Sequence, residues 1–185
     1  MSNSLDDAEI HRIVQSVVQN VMGPAAAHET AQPSGKKVVA IGADHGGFEL
    51  KEALKSDIKA LGFEVNDVGT NSKDAVDYPD FAHAVAQSVG SGKAWRGIMI
   101  DGAGIGSCIV ANKVPGVRAG MACDISSANN GREHNDTNVL TLGAGLIGVN
   151  LAKQIVKVWL TTNFGGDRHA KRVDKIMAVE KKYLK

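Results

Sequence analysis

Apolar residues fall into two rhythms along this chain. From Val38 onward, short continuous apolar runs alternate with stretches in which large apolar residues return every three or four positions. The runs predict strands at Val38 to Asp44 (VVAIGAD), at FEVNDVG closing on Gly69-Thr70, at Gly97 to Ile100 with Asp101 as the last residue, at Arg118 to Cys123 and at Val139 to Leu142. Between them, FELKEALKSDIKALG carries Leu50, Leu54, Ile58 and Leu61 at helical spacing, with Gly62 as its stop. FAHAVAQSVGSG, SCIVANK, Ser126 to Glu133 and Val149 to Thr161 read as further helices, and a last one follows the basic turn at Asp167. Strands alternating with helices predict an α/β chain: a doubly wound, mostly parallel sheet of about five strands with helices on both faces.

The first 36 residues follow a different pattern. Residues 5–22 (LDDAEIHRIVQSVVQNVM) place Ile10, Ile13, Val14, Val17, Val18 and Val21 on one helical face, with Asp6, Asp7, Glu9, Arg12, Gln15, Ser16 and Asn20 on the other. The acidic residues near its start suit a helix N-terminus. Residues 23–36 (GPAAAHETAQPSGK) are rich in Ala, Gly, Pro and small polar residues and predict a flexible linker. This gives an amphipathic helix at 1–22, a linker at 23–36 and a folded domain over 37–185. The apolar stripe needs a cover, either the helix's own domain or a sister subunit. An interfacial membrane helix is disfavoured because the polar face is acidic.

Composition narrows the function. Over 185 residues, 43% hydrophobic and 22% charged is ordinary for one globular core with an appendage. Lys+Arg 21 against Asp+Glu 20 gives a net charge of +1, so neither nucleic acid nor a membrane surface is implied as partner. Cys108 and Cys123 have no metal-ligand spacing and read as buried thiols. No apolar run reaches the roughly 20 residues of a membrane span, and the N-terminus lacks a secretory pattern. A cytosolic protein is expected.

The chemistry concentrates where strands end. Asp101 closes the central strand, and Gly102, Gly104 and Gly106 follow it at once. That places a carboxylate beside bare backbone able to present N–H groups to developing negative charge. Gly143-Ala144-Gly145-Leu146-Ile147-Gly148 matches the dinucleotide fingerprint letter for letter, but no second strand with an acid for the ribose follows it, so a structural turn is expected. The Gly102 turn has Asp124 about 20 residues on, yet Asp101 would set a carboxylate against a pyrophosphate. Asp44, His45, the Asp101 turn and the run Arg132-Glu133-His134-Asn135-Asp136 are expected to gather at the strand ends, with Arg168, His169 and Arg172 joining them. A carboxylate, imidazoles, backbone amides and paired arginines can abstract a proton next to a carbonyl, hold an enediolate and grip a phosphate.

IGADHGGFELK, VDYPDFA, GIGSCIVANKVPGVRA, REHNDTNVLTLGA and GGDRHAKRVDKI resemble, in this order, signatures of the type B ribose-5-phosphate isomerase family, which also contains galactose-6-phosphate isomerase subunits. The resemblance runs from Val38 to Ile176. It implies a Rossmann-like three-layer α/β/α sandwich, a homodimer or tetramer with each active site shared between subunits, and no metal or organic cofactor. Matching positions imply Asp44 and His45 for hydroxyls and phosphate, and Gly102, Ala103, Gly104, Ile105 and Gly106 for the anion hole. His134 and Asn135 would open and position the sugar ring, Arg168 and Arg172 would bind phosphate with Arg118 as a weaker candidate, and Tyr78 and Pro79 would shape the pocket wall. The helix at 5–22 resembles the encapsulation peptides that load enzymes into bacterial microcompartments, which would make shell proteins a partner.

One departure is pronounced. Many family members carry Cys-Gly-Thr-Gly where this chain has Asp101-Gly102-Ala103-Gly104, and others place a glutamate where Ser107 stands. Aspartate is a competent base, so Asp101 is expected to move the proton between C1 and C2. The alternative is a carboxylate that caps the glycine turn or ligates a sugar hydroxyl, with Cys108 or a water doing the rest. Another phosphosugar, a tetrose or hexose phosphate, a catalytically silent sugar-phosphate-binding subunit and a nucleotide-binding module are the competing readings.

Overall fold

The computed structural model of the chain describes residues 37–184. The helix expected over 5–22, its linker and the encapsulation role lie outside the described residues. Five strands form one sheet: β1 (Val38–Ala43), β2 (Glu64–Asp67), β3 (Arg96–Asp101), β4 (Ala119–Met121) and β5 (Val139–Gly143). Their order is β2-β1-β3-β5-β4, and every pairing is parallel. The helices are α1 (Phe48–Ala60), α2 (Tyr78–Gly90), α3 (Ile105–Ala111), α4 (Ile125–Asn135), α5 (Val149–Thr161) and α6 (Asp167–Tyr183).

The alternation of each strand divides the core between two faces. Ile41, Ile98, Ile100, Leu140 and Leu142 point to the face covered by Leu50, Leu54 and Ile58 of α1 and by Ile155, Val156 and Trp159 of α5. Ala40, Met99 and Val139 point to the other, where Ala82, Val85 and Ala86 of α2 and Ala111 of α3 pack. Each such Leu, Ile or Val contributes about 2 kcal/mol by leaving water. The result is the expected three-layer α/β/α sandwich.

Chain direction sets the site. From β1 the chain crosses to β2 on one side, while from β3 it moves to the other side of the sheet, so β1 and β3 flank the topological switch point. The crevice beyond their C-terminal ends is where open α/β sheets hold ligands.

The structure departs from the expected boundaries in three places. α2 begins at Tyr78 rather than Phe81, with Pro79 in its first turn, where a missing N–H costs nothing. α4 spans Ile125–Asn135, started by Asp124, whose carboxylate accepts from the Ser127 N–H at 2.8 Å in a capping box. β4 shrinks to three residues. Arg118 N–H is taken by Asn138 Oδ1 at 2.7 Å, and the Asn112 side chain bonds both backbone groups of Ala119, donating to its carbonyl at 3.0 Å and accepting from its N–H at 2.9 Å. Side-chain amides thus replace ladder partners around the sheet edge.

The buried-thiol expectation fails: Cys108 is half-buried on α3 and Cys123, just past β4 where the ladder has ended, is exposed.

Candidate active site

Two loops meet at the switch point. After β1, Asp44 is buried, its N–H bonded to Ile100 O at 3.1 Å and its Oδ1 accepting from Gly47 N–H at 2.9 Å. His45 is exposed, with Nδ1 3.2 Å from both the N and the O of Val76, so the imidazole is tied to the segment leading into Tyr78. After β3 comes the glycine turn. Gly104 adopts φ 78°, a left-handed conformation that starts α3 and that a side chain would strain. Tyr78 lies across the turn: a Cβ on Gly106 would sit 2.5 Å from its ring. Tyr78 and the loop carrying Asp44 therefore both lie against the glycine turn.

Asp101 is the buried centre of this turn, 4% exposed. Its Oδ1 accepts from the N–H of Ala103 at 2.9 Å and from the N–H of Gly104; its Oδ2 accepts from the N–H of Ser107 at 3.2 Å and from the Ser107 hydroxyl at 2.5 Å. In this state the carboxylate caps the turn and takes two of the N–H groups expected to serve an enediolate. The fully buried Ser107 is the partner that the sequence reading missed. Its only sequence signal was its place in the residue after the glycines.

The fingerprint-like turn after β5 is structural. Ala144 donates to Asp101 O at 2.8 Å and Gly145 to Gly102 O at 3.0 Å, bracing the Asp101 turn from beside it.

The run Arg132 to Asp136 is not at this end of the sheet, which corrects the expected gathering. α4 returns antiparallel to the strands, so His134 and Asn135 lie just before Val139, where β5 begins, whereas Asp101 pairs with Gly143, where β5 ends. Four strand steps separate the two levels, about 13 Å. Arg132 points inward, its guanidinium bonded to Thr137 O and paired with Asp136 at 2.8 Å. Arg118 is also committed, to Asp136 Oδ2 at 2.8 Å and Asp136 O at 3.0 Å, and with Asn135 it lines a groove of about 530 Å³ beside β4.

A second cluster forms at that lower level. The imidazoles of His134 and His169 stack with centroids 4.2 Å apart and planes 7° from parallel. Arg168 and Arg172, four residues apart on α6, are exposed and line an open hollow of about 540 Å³ with Asp167, Lys171 and Lys175. Among the described residues, no group of three or more His, Cys, Asp or Glu side chains is placed to hold a metal ion.

A polar crevice at the switch point, with a cationic and imidazole-bearing patch on the same chain, defines a doubly wound enzyme for small anionic substrates. Residues 39–176 match the Ribose/Galactose Isomerase family, and the chain belongs to it. It is 44% identical over 146 residues to Ribose-5-phosphate isomerase B of Escherichia coli, covering 79% of this chain and 98% of that one. It is 41% identical over 139 residues to D-erythrulose-4-phosphate isomerase of Pectobacterium atrosepticum, covering 75% and 91%. The solved Ribose-5-Phosphate Isomerase B of Clostridium thermocellum superposes with a TM-score of 0.78 at 49% identity, over 80% of this chain and 99% of that one.

Proposed function

We propose that this sugar-phosphate isomerase interconverts ribose 5-phosphate and ribulose 5-phosphate through an enediolate, with Asp101 as the base. The observation that carries the reading is the Asp101 carboxylate seated inside a turn of N–H donors at the β1/β3 switch point. When a substrate oxygen enters the turn it takes over the Ala103 and Gly104 donors. Oδ1 is then released while Oδ2 stays on Ser107. The freed carboxylate oxygen accepts the C2 proton, the C–H electron pair forms the C1–C2 double bond, and the negative oxygen rests on the turn. The O2 hydroxyl proton passes to O1, and Asp101 returns its proton to C1 as the C1–C2 π pair forms that C–H bond and C2–O2 becomes the carbonyl. Asp44 and His45 orient hydroxyls at the rim, and Tyr78 closes the wall.

The site is completed by a second copy of the chain. His134 and the Arg168–Arg172 turn meet through His169, with Asn135 next to His134 on α4, and His134 and Asn135 sit at the opposite end of β5 from their own chain's Asp101, beyond hydrogen-bond reach of a sugar held there. A two-fold partner supplies them as one unit, His134 for ring opening and the arginines for phosphate.

Two experiments test this. Purified protein is assayed with ribose 5-phosphate and a panel of tetrose and hexose phosphates; absence of turnover on all of them leaves the silent-subunit reading standing. Asp101→Asn and His134→Ala proteins, each inactive alone, are then dissociated and mixed. Random reassociation puts one intact site in half of the dimers, restoring about a quarter of the wild-type sites. No recovery in verified mixed dimers removes the shared site.

A further inference from the structure

The stacked histidines give His134 a partner that the proposed reaction has not used. We infer that His169 is a positioning residue, a flat platform that holds the His134 imidazole at the angle needed to open the sugar ring. The inference rests on the reading in which His134 performs that opening.

Geometry supports it first. At 4.2 Å and 7° the two rings are in face-to-face contact, and α4 and α6 meet there: Gly165 donates to Glu133 O at 2.9 Å, and a Cβ added at Gly165 would lie 3.5 Å from the His169 ring. His134 is next to last in α4 with 40% of its side chain exposed, so without the second ring one face of the imidazole would be bare to solvent and free to turn. General acid–base work depends on orientation, and small displacements of the acting group are costly in rate.

Charge supports it second. The groups facing the pair are Glu133, whose Oε1 is 4.0 Å from His134 Nε2, Arg168, whose Nε is 3.4 Å from His169 Nε2, and Arg172. Desolvation first, then His134, Arg168 and Arg172, hold His169 below the ordinary histidine range, against a smaller pull from Glu133. His169 is thus a weaker base than an ordinary histidine. In this proposal the proton traffic goes to His134: it takes the anomeric hydroxyl proton, the C1–O4 bond breaks with its electrons going to O4, and the same proton is returned to O4 as C1 becomes the aldehyde.

Ring opening can be read apart from isomerisation, because it also interconverts the α and β furanose forms. Exchange NMR on ribose 5-phosphate with Asp101→Asn enzyme measures that interconversion where the isomerising base is removed. Adding His169→Ala should cut the acceleration at least about tenfold. His169→Phe, which keeps a flat ring to stack and nothing to titrate, should hold it within about threefold. Retention of full acceleration in His169→Ala, or equal loss in Ala and Phe, overturns the proposal. If the Asp101→Asn parent itself gives no acceleration, the ring-opening role of His134 fails instead, and the positioning role with it.

Discussion

The Ser107 hydroxyl donates to Asp101 Oδ2 at 2.5 Å, and both side chains are buried at the tip of β3. In the proposed mechanism Ser107 is the hinge on which the carboxylate stays held while a substrate oxygen displaces Oδ1. Ser107→Ala should lower kcat by about tenfold with KM little changed, and should destabilise the domain by about 1.5–3 kcal/mol, the worth of a hydrogen bond to a charged acceptor. Steady-state kinetics and urea unfolding check both. An unchanged kcat removes the hinge role.

Asp101→Asn should lower kcat by 100-fold or more, the usual contribution of a positioned base. The amide keeps the volume of the carboxylate but offers N–H where Ala103, Gly104 and Ser107 already present donors. Full turnover by a folded Asp101→Asn protein would leave the capping role alone standing.

Gly106→Ala should lower kcat/KM by about tenfold, since its methyl would sit 2.5 Å from the Tyr78 ring and must push that wall aside. The double variant Gly106→Ala with Tyr78→Ala should recover more than Gly106→Ala alone on a double-mutant cycle. Additive losses would mean that the two positions do not act through contact.

Arg168→Ala and Arg172→Ala should each raise KM by about tenfold while leaving kcat nearly unchanged, because phosphate grip is uniform binding rather than chemistry. A fall in kcat without a change in KM would assign the arginines to the reacting end of the sugar.

Lys51 is fully buried, and its Nζ lies 2.6 Å from Asp67 Oδ2, which also receives Lys55 at 2.8 Å. Burial works to raise the Asp67 carboxyl, but the hydrogen bonds of Lys51, Lys55 and Gly69 together bring it below its ordinary value. The folded value is thus depressed. The stabilisation is complete above the unfolded-chain value of about 3.9 and is lost as pH falls through the lower folded one. Asp67→Asn should cost about 3 kcal/mol at pH 7, by leaving a buried ammonium short of its partner, and should flatten the acid limb of stability against pH. Thermal unfolding between pH 3 and 7 reads both effects.

Much of this fold was legible in the sequence because buried parallel strands and amphipathic helices write different periods, and the five strands stand where apolar runs predicted them. Two features were not legible. The capping of the turn by Asp101 depends on backbone N–H directions that one-dimensional spacing cannot show, so base and cap stood as alternatives and the structure presents the cap. The distance between Asp101 and His134 depends on which end of the sheet α4 returns to. Motif order along the chain carries no such information, and residues assigned to one site by resemblance prove to be at two levels of one molecule. His169 carried a weak signal, its place in GGDRHAKRVDKI, but the ring it stacks on is 35 positions earlier.

The side chain of Asn112 stands in for a strand that the sheet does not have. A primary amide has the same donor and acceptor as a peptide group, so at Ala119 it occupies the rung on which an incoming extended segment would first engage. The β4 edge is thereby blunted at this rung against open-ended, edge-to-edge stacking.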